Sequence, residues 1–170
     1  HPVELAHRTA YLDHMAQGRY MMGIGSGGFA TDMGLFNVDT EARENREMTK
    51  ESLEIMLMVW ANQGPFEYKG KYWQVAMPDP KDWEFIYLKC FLEPYQKPHP
   101  PIGVASASPR SETLKIAGER GWLPMSLGMN SRYMASHWEA VEEGAEEVGK
   151  PPPPRSDWRV VRDMWVADTE

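Results

Sequence analysis

The chain has 170 residues, 42% hydrophobic and 25% charged, which is enough apolar content for a packed core and the wrong composition for a disordered tail. Its formal net charge of −7, with no clustered basic stretch, excludes nucleic acid as a general partner, because phosphate backbones need a concentrated cationic surface. One cysteine, Cys90, rules out an internal disulfide; with no 18-residue apolar run and no cleavable leader in the pattern, a cytoplasmic protein with no membrane association is expected.

His1-Pro2 leads straight into a helical pattern and the last residues follow a strand-like run, so both ends read as cut from something longer. Pro2 suits a first helical turn, where its missing N–H is not needed; Val3, Ala6, Ala10 and Leu12 to Met15 supply an apolar face that Gly18 ends. A short apolar run, Tyr20 to Ile24, then empties into Gly25-Ser26-Gly27-Gly28, the way a buried strand presents backbone N–H groups to a ligand. Gly23, Gly25 and Gly28 match the spacing of a dinucleotide fingerprint, but that motif needs a helix opening at the loop. The next helical pattern starts only at Asp39 or Thr40, which argues against a Rossmann site. That second helix keeps three-four spacing through Met48, Ser52, Ile55, Met56 and Val59 to Ala61.

Phe66 to Tyr68 and Tyr72 to Val75, joined across Lys69-Gly70-Lys71, read as an inserted β-hairpin. Phe85 to Leu92 reads as a further strand, with Cys90 an inert apolar thiol inside it. Four prolines between Pro94 and Pro101 then form a rigid approach to the core strand Ile102 to Ala105. Ser106-Ala107-Ser108-Pro109-Arg110-Ser111 leads into a helix through Leu114, Ile116 and Ala117 that stops near Gly121. Trp122 to Leu127 is strand-like, a helix runs through Tyr133, Trp138, Val141 and Val148 to Gly149, and Trp158 to Val166 closes the chain as a strand.

Strands alternating with helices predict a parallel sheet, since parallel neighbours need crossover helices. A doubly wound sheet fits in this length, whereas a (β/α)₈ barrel takes about 250 residues. In either architecture ligands sit at the carboxyl ends of the strands, so the loops Gly25 to Gly28, Ser106 to Ser111 and Ser126 to Met129 are expected to face one site. Ser106, Ser108 and Ser111 precede a helix N-terminus, where hydroxyls and free N–H groups together accept a phosphate; the plainer alternative is that Ser108 or Ser111 caps the helix.

Other candidates give less. His1, His7 and His14 stand six and then seven residues apart, about 9–10 Å of helical rise each, too far for one metal ion, so no metal is expected. His1 reads as a helix cap, or as a residue facing the site from a strand end; His99 and His137 read as surface positions. Ser26 lies outside the pattern Gly-x-Ser-x-Gly because Ile24 stands where glycine is required. Glu142, Glu143, Glu146 and Glu147 read as a solvated helix face.

His1-Pro2-Val3, Leu12-Asp13-His14, Gly18-Arg19-Tyr20, Gly23-Ile24-Gly25, Val59-Trp60, the Phe66 to Trp73 hairpin and Pro100 to Ala105 follow one another in an order and spacing by which the sequence resembles the bacterial luciferase-like flavin monooxygenase family. The resemblance implies a (β/α)₈ TIM barrel of which residues 1–170 are an incomplete middle-to-late portion with a β-hairpin insertion. It further implies that reduced FMN is held by Ser106, Ala107, Ser108 and Ser111 at its phosphate and approached by Gly25, Ser26, Gly27 and Gly28. Luciferase itself carries a cysteine and an arginine where this chain has Gly25 and Ser26, so light emission is not implied. The family histidine often assigned to catalysis falls outside this chain, leaving the catalytic residue unnamed. The expected activity is two-component: a separate flavin reductase delivers reduced FMN, and O₂ oxygenates a small apolar substrate in a homo- or hetero-oligomer. The alternatives are a deazaflavin-dependent oxidoreductase on the same barrel and a non-catalytic flavin-binding or assembly subunit.

Overall fold

A computed structural model describes residues 1–61, 64–79, 92–128 and 130–167. They fall into two compact units, the first His1–Met21 with Gly25–Pro100 and the second Met22–Ile24 with Pro101–Glu170.

The first unit is helical with one hairpin. Helix α1 spans Pro2–Ala16; His1 caps it, its Nδ1 accepting from the Val3 N–H at 3.3 Å, and Gln17 ends it in the left-handed region. Its buried face is Pro2, Ala6, Thr9, Ala10 and Asp13, so the expected contribution of Leu12 and Met15 is corrected: both are exposed, and a carboxylate takes the inward position. Asp13 is fully buried because both its oxygens are occupied, one by the Gln96 backbone N–H and one by the Gln96 amide, each at 2.7 Å. The same amide donates to the Tyr20 carbonyl at 2.8 Å and so pins the proline-rich segment to the end of α1.

A five-residue helix, α2 (Ala30–Gly34), follows the glycine loop, where no helix was expected. Helix α3 spans Glu44–Ala61. Its start is later than Asp39 or Thr40 because Asp39 caps a separate turn, accepting from the Glu41 and Ala42 N–H groups, and Arg43 (φ 59°) breaks the helical path. Ile55, Met56, Val59 and Trp60 form its buried face, and the Trp60 indole donates to the Ala6 carbonyl at 3.0 Å, tying α3 to α1. His99, expected at the surface, is half-buried with its ring centroid 5.6 Å from that of Trp60.

The hairpin is β2 (Phe66–Lys69) antiparallel to β3 (Gln74–Met77), Phe66 opposite Met77. The acidic face of α3 holds it. Glu51 accepts from the backbone N–H groups of Lys71, Tyr72 and Trp73, Glu54 from the Tyr68 hydroxyl, and Glu47 from both the Lys71 ammonium and the Tyr72 hydroxyl. These bonds hold the Glu47 carboxyl below the usual carboxylate range, while lost hydration and then the Glu54 bond push the Tyr68 hydroxyl up to about 12. The strand expected over residues 85–92 and the environment of Cys90 fall outside the described residues, apart from the exposed, irregular Leu92.

The second unit is a four-stranded parallel sheet backed by two helices. Strands β1 (Met22–Ile24), β4 (Ile102–Ser106), β5 (Leu123–Leu127) and β6 (Arg159–Val161) lie in the order β1-β4-β5-β6. That order follows the chain without reversal, as in the wall of a (β/α)₈ barrel; a doubly wound sheet reverses at a switch point. The final strand is three residues, shorter than the expected Trp158 to Val166. Helix α4 (Glu112–Arg120) and helix α5 (Met134–Glu147) pack on each other through Leu114, Trp138, Ala140 and Val141, with Trp158 against the cluster. Gly118 and Gly144 allow this approach: a Cβ on Gly118 would overlap the Val141 carbonyl oxygen, and one on Gly144 that of Lys115. At the rim, the Lys115 ammonium bonds Glu147 at 2.7 Å and Glu143 at 3.1 Å, which holds it well above the ordinary lysine range.

Candidate functional site

Parallel strands in register bring their carboxyl ends to one edge. Ile24 pairs with Val104, Ser106 with Ser126, and Leu127 with Val161. From that edge β4 runs into the serine loop and α4. The Ser106 hydroxyl accepts from the Ser108 N–H at 3.1 Å, closing a tight turn; Pro109 contributes no N–H, and Arg110 takes a left-handed φ of 44°. Ser111 occupies the N-cap position of α4 and is 7% exposed, yet its hydroxyl makes no capping bond. The simple cap expected as the alternative for Ser111 is therefore not formed. The N–H groups of Glu112 and Thr113, in the first turn, lie beyond reach of any carbonyl within the helix, and Arg110 forms no ion pair among the described residues. Hydroxyls, first-turn donors and an adjacent guanidinium make this loop receptive to an anion.

The loop is held from behind by α5. The Ser136 hydroxyl accepts from the Arg110 N–H at 3.3 Å and donates to the Tyr133 carbonyl at 2.8 Å. His137 Nε2 lies 3.0 Å from the Ser108 carbonyl oxygen, and its Nδ1 lies 2.9 Å from Ser126 Oγ, which also receives the Trp158 indole N–H at 2.8 Å. His137 is 1% exposed and Ser126 fully buried, which corrects two expectations. The histidine is not on the surface, and Ser126 is a core member of β5 rather than part of a loop facing the ligand edge. Met129 lies outside the described residues.

Gly25, Ser26, Gly27 and Gly28 belong to the first unit. Gly27 requires its lack of a side chain: φ is 82°, and a Cβ would come within 2.7 Å of the Met33 methyl. At Gly25 and Gly28 an added Cβ would meet nothing within 4 Å, so these positions leave open space beside the backbone. The Asn45 amide, from the first turn of α3, donates to the Ser26 carbonyl at 2.8 Å and to that of Gly27 at 3.4 Å, fixing the loop's carbonyls. A separate cavity of about 510 Å³ in this unit is lined by His1, Glu4, His7 and residues 74–78 and contains none of the expected cofactor-binding residues.

Asn45, Ser136 and His137 were missed because each acts through backbone carbonyls and N–H groups that no motif records. For His137 a signal existed: with Val141, Gly144 and Ala145 it lies at the three-four spacing of the buried face of α5.

Together these features describe an α/β protein with an anion-receptive loop at the carboxyl edge of its parallel strands. The chain belongs to the luciferase-like monooxygenase family, whose family model matches residues 1–169. It is 31% identical over its full length to 3,6-diketocamphane 1,6-monooxygenase of Pseudomonas putida, of which it covers 48%. The chain thus spans about half the length of the curated relatives it matches. Among solved structures, the oxygenating constituent of 3,6-diketocamphane monooxygenase of Pseudomonas putida in complex with FMN, titled a type II Baeyer-Villiger monooxygenase, superposes with a TM-score of 0.83 at 31% identity; the match covers 94% of this chain and 43% of that one. An F420-dependent secondary alcohol dehydrogenase in complex with an F420-acetone adduct superposes at 0.69 with 24% identity, over 94% of this chain and 43% of its own, a likeness of fold. The fold is an incomplete luciferase-like (β/α)₈ TIM barrel.

Proposed function

We propose that residues 1–170 are part of one barrel domain of a two-component flavin monooxygenase acting on a small apolar substrate, with a separate reductase as partner. The observation that carries the reading is the Ser106 to Ser111 loop, which joins a Ser111 hydroxyl that makes no capping bond to the first-turn donors of α4 in a family whose compared member is solved with FMN. Ser106, Ala107, Ser108 and Ser111 cradle the FMN phosphate, with Arg110 adding charge compensation. Gly25, Ser26, Gly27 and Gly28 approach the flavin by backbone, and Asn45 holds the Ser26 and Gly27 carbonyls and with them the N–H groups of Gly27 and Gly28 in the same peptides. Bound reduced FMN supplies the two electrons with which O₂ delivers one oxygen atom to substrate and leaves the other as water. The chain's own residues bind, orient and exclude water.

The test supplies the purified protein with reduced FMN from a flavin reductase and with a bicyclic ketone, under ¹⁸O₂. Product carrying one labelled oxygen is expected. Oxidation of a secondary alcohol by F420 under anaerobic conditions, without oxygenation in air, would replace this reading with hydride transfer, which the F420-dependent fold relative makes the second candidate.

A further inference from the structure

We infer that His137 is a positioning residue for the phosphate end of the site, orienting the serine loop by gripping the Ser108 carbonyl; this rests on the reading of that loop as the FMN phosphate site. The peptide between Ser108 and Pro109 has one polar group, its carbonyl oxygen, because proline has no N–H. Turned toward the anion, that oxygen would repel it. His137 Nε2, 3.0 Å away, holds it toward the core instead, and Ser136 occupies the next N–H, that of Arg110. The loop's inner polar groups are thereby engaged by two consecutive residues of α5, leaving the Ser106, Ser108 and Ser111 hydroxyls and the head of α4 for the ligand.

The proton order of this network follows from which atoms can give and which can only take. A carbonyl only accepts, so Nε2 carries a proton; an indole N–H only donates, so Ser126 Oγ accepts from Trp158. The one remaining hydroxyl proton then goes to His137 Nδ1. Every proton in the chain Trp158, Ser126, His137, Ser108 has an acceptor when the imidazole is the neutral Nε2–H tautomer. Burial of the ring at 1% exposure keeps water from competing for any of these bonds. Trp158 lies just before β6, and Ser126 lies within β5, so the register of two strands is transmitted to the loop that follows a third.

The experiment compares Kd for FMN and for riboflavin, which differ by the phosphate alone, in the wild-type protein and in His137→Leu, His137→Gln and His137→Asn. Wild type is expected to bind FMN more tightly than riboflavin. In His137→Leu that preference should fall about tenfold, the equivalent of roughly 1.4 kcal/mol, while riboflavin affinity stays within about twofold. Gln, which can donate to Ser108 and accept from Ser126, should restore most of the preference; Asn, too short to span both, should not. If Leu does not fold, the contrast between Gln and Asn decides. Equal loss for both flavins, or an unchanged preference in Leu and Asn, overturns the inference alone. No FMN preference in wild type overturns the phosphate reading and this inference with it.

Discussion

Gly144→Ala would test the close contact on which the placement of α4 depends. A Cβ at this position overlaps the Lys115 carbonyl oxygen and comes within 2.8 Å of the Lys115 carbonyl carbon and 3.1 Å of its Cα. These are backbone atoms of the facing helix, so no side chain can swing away; α4 and α5 must part by roughly 1 Å, an overpacking that costs about 3 kcal/mol. Against this stands the intrinsic gain of replacing glycine by alanine inside a helix, about 1 kcal/mol. The net is a loss of about 2 kcal/mol, or a fall in Tm of about 4–8 °C for a chain of this size. Thermal denaturation followed by circular dichroism measures it. Because α4 begins at the serine loop, FMN affinity should fall in the same variant. An unchanged or raised Tm, the result expected of an unobstructed Gly-to-Ala change, would show that α4 and α5 are not in this contact.

Ser126→Ala leaves the Trp158 indole N–H and His137 Nδ1 without partners, which should cost about 2–4 kcal/mol in denaturant unfolding and change the Trp158 emission. Ser108→Glu sets a carboxylate in the anion loop and should abolish flavin binding in a fluorescence-quenching titration; retained affinity would remove the phosphate assignment. The Glu47 contacts to the hairpin should follow a defined pH limb. Since its folded pKa is lowered, their contribution is complete above the ordinary carboxylate range and is lost as pH falls through the lowered value. The stability advantage of wild type over Glu47→Gln in denaturant unfolding should therefore hold at neutral pH and vanish only on that acid side; a difference that does not change with pH would contradict it.

The order of elements was legible because local signals agreed with the tertiary outcome. Pro2, the three-four spacing of Ile55, Met56 and Val59, and the apolar run Ile102 to Ala105 each fix one element by their own pattern. The departures arose where a polar group was given a partner distant in sequence. Asp13 is buried against Gln96, 83 residues away, and so displaced the apolar face read from Leu12 and Met15. His137 looked solitary because its partners are a carbonyl 29 residues back and a serine on a neighbouring strand. The loop Ser106 to Ser111 was legible as an anion site from hydroxyls before a helix, yet the choice between a cap and a free hydroxyl at Ser111 needed geometry. Asp39 shows the converse: it carries a real capping signal, spent on a turn five residues ahead of the helix.

An anaerobic titration of the purified protein with reduced FMN and, in parallel, with reduced F420 decides which cofactor the barrel edge holds. A saturable FMN complex, tighter than that with F420 and weakened by Ser108→Glu, is the predicted result. Tight F420 binding with no measurable FMN complex would contradict it.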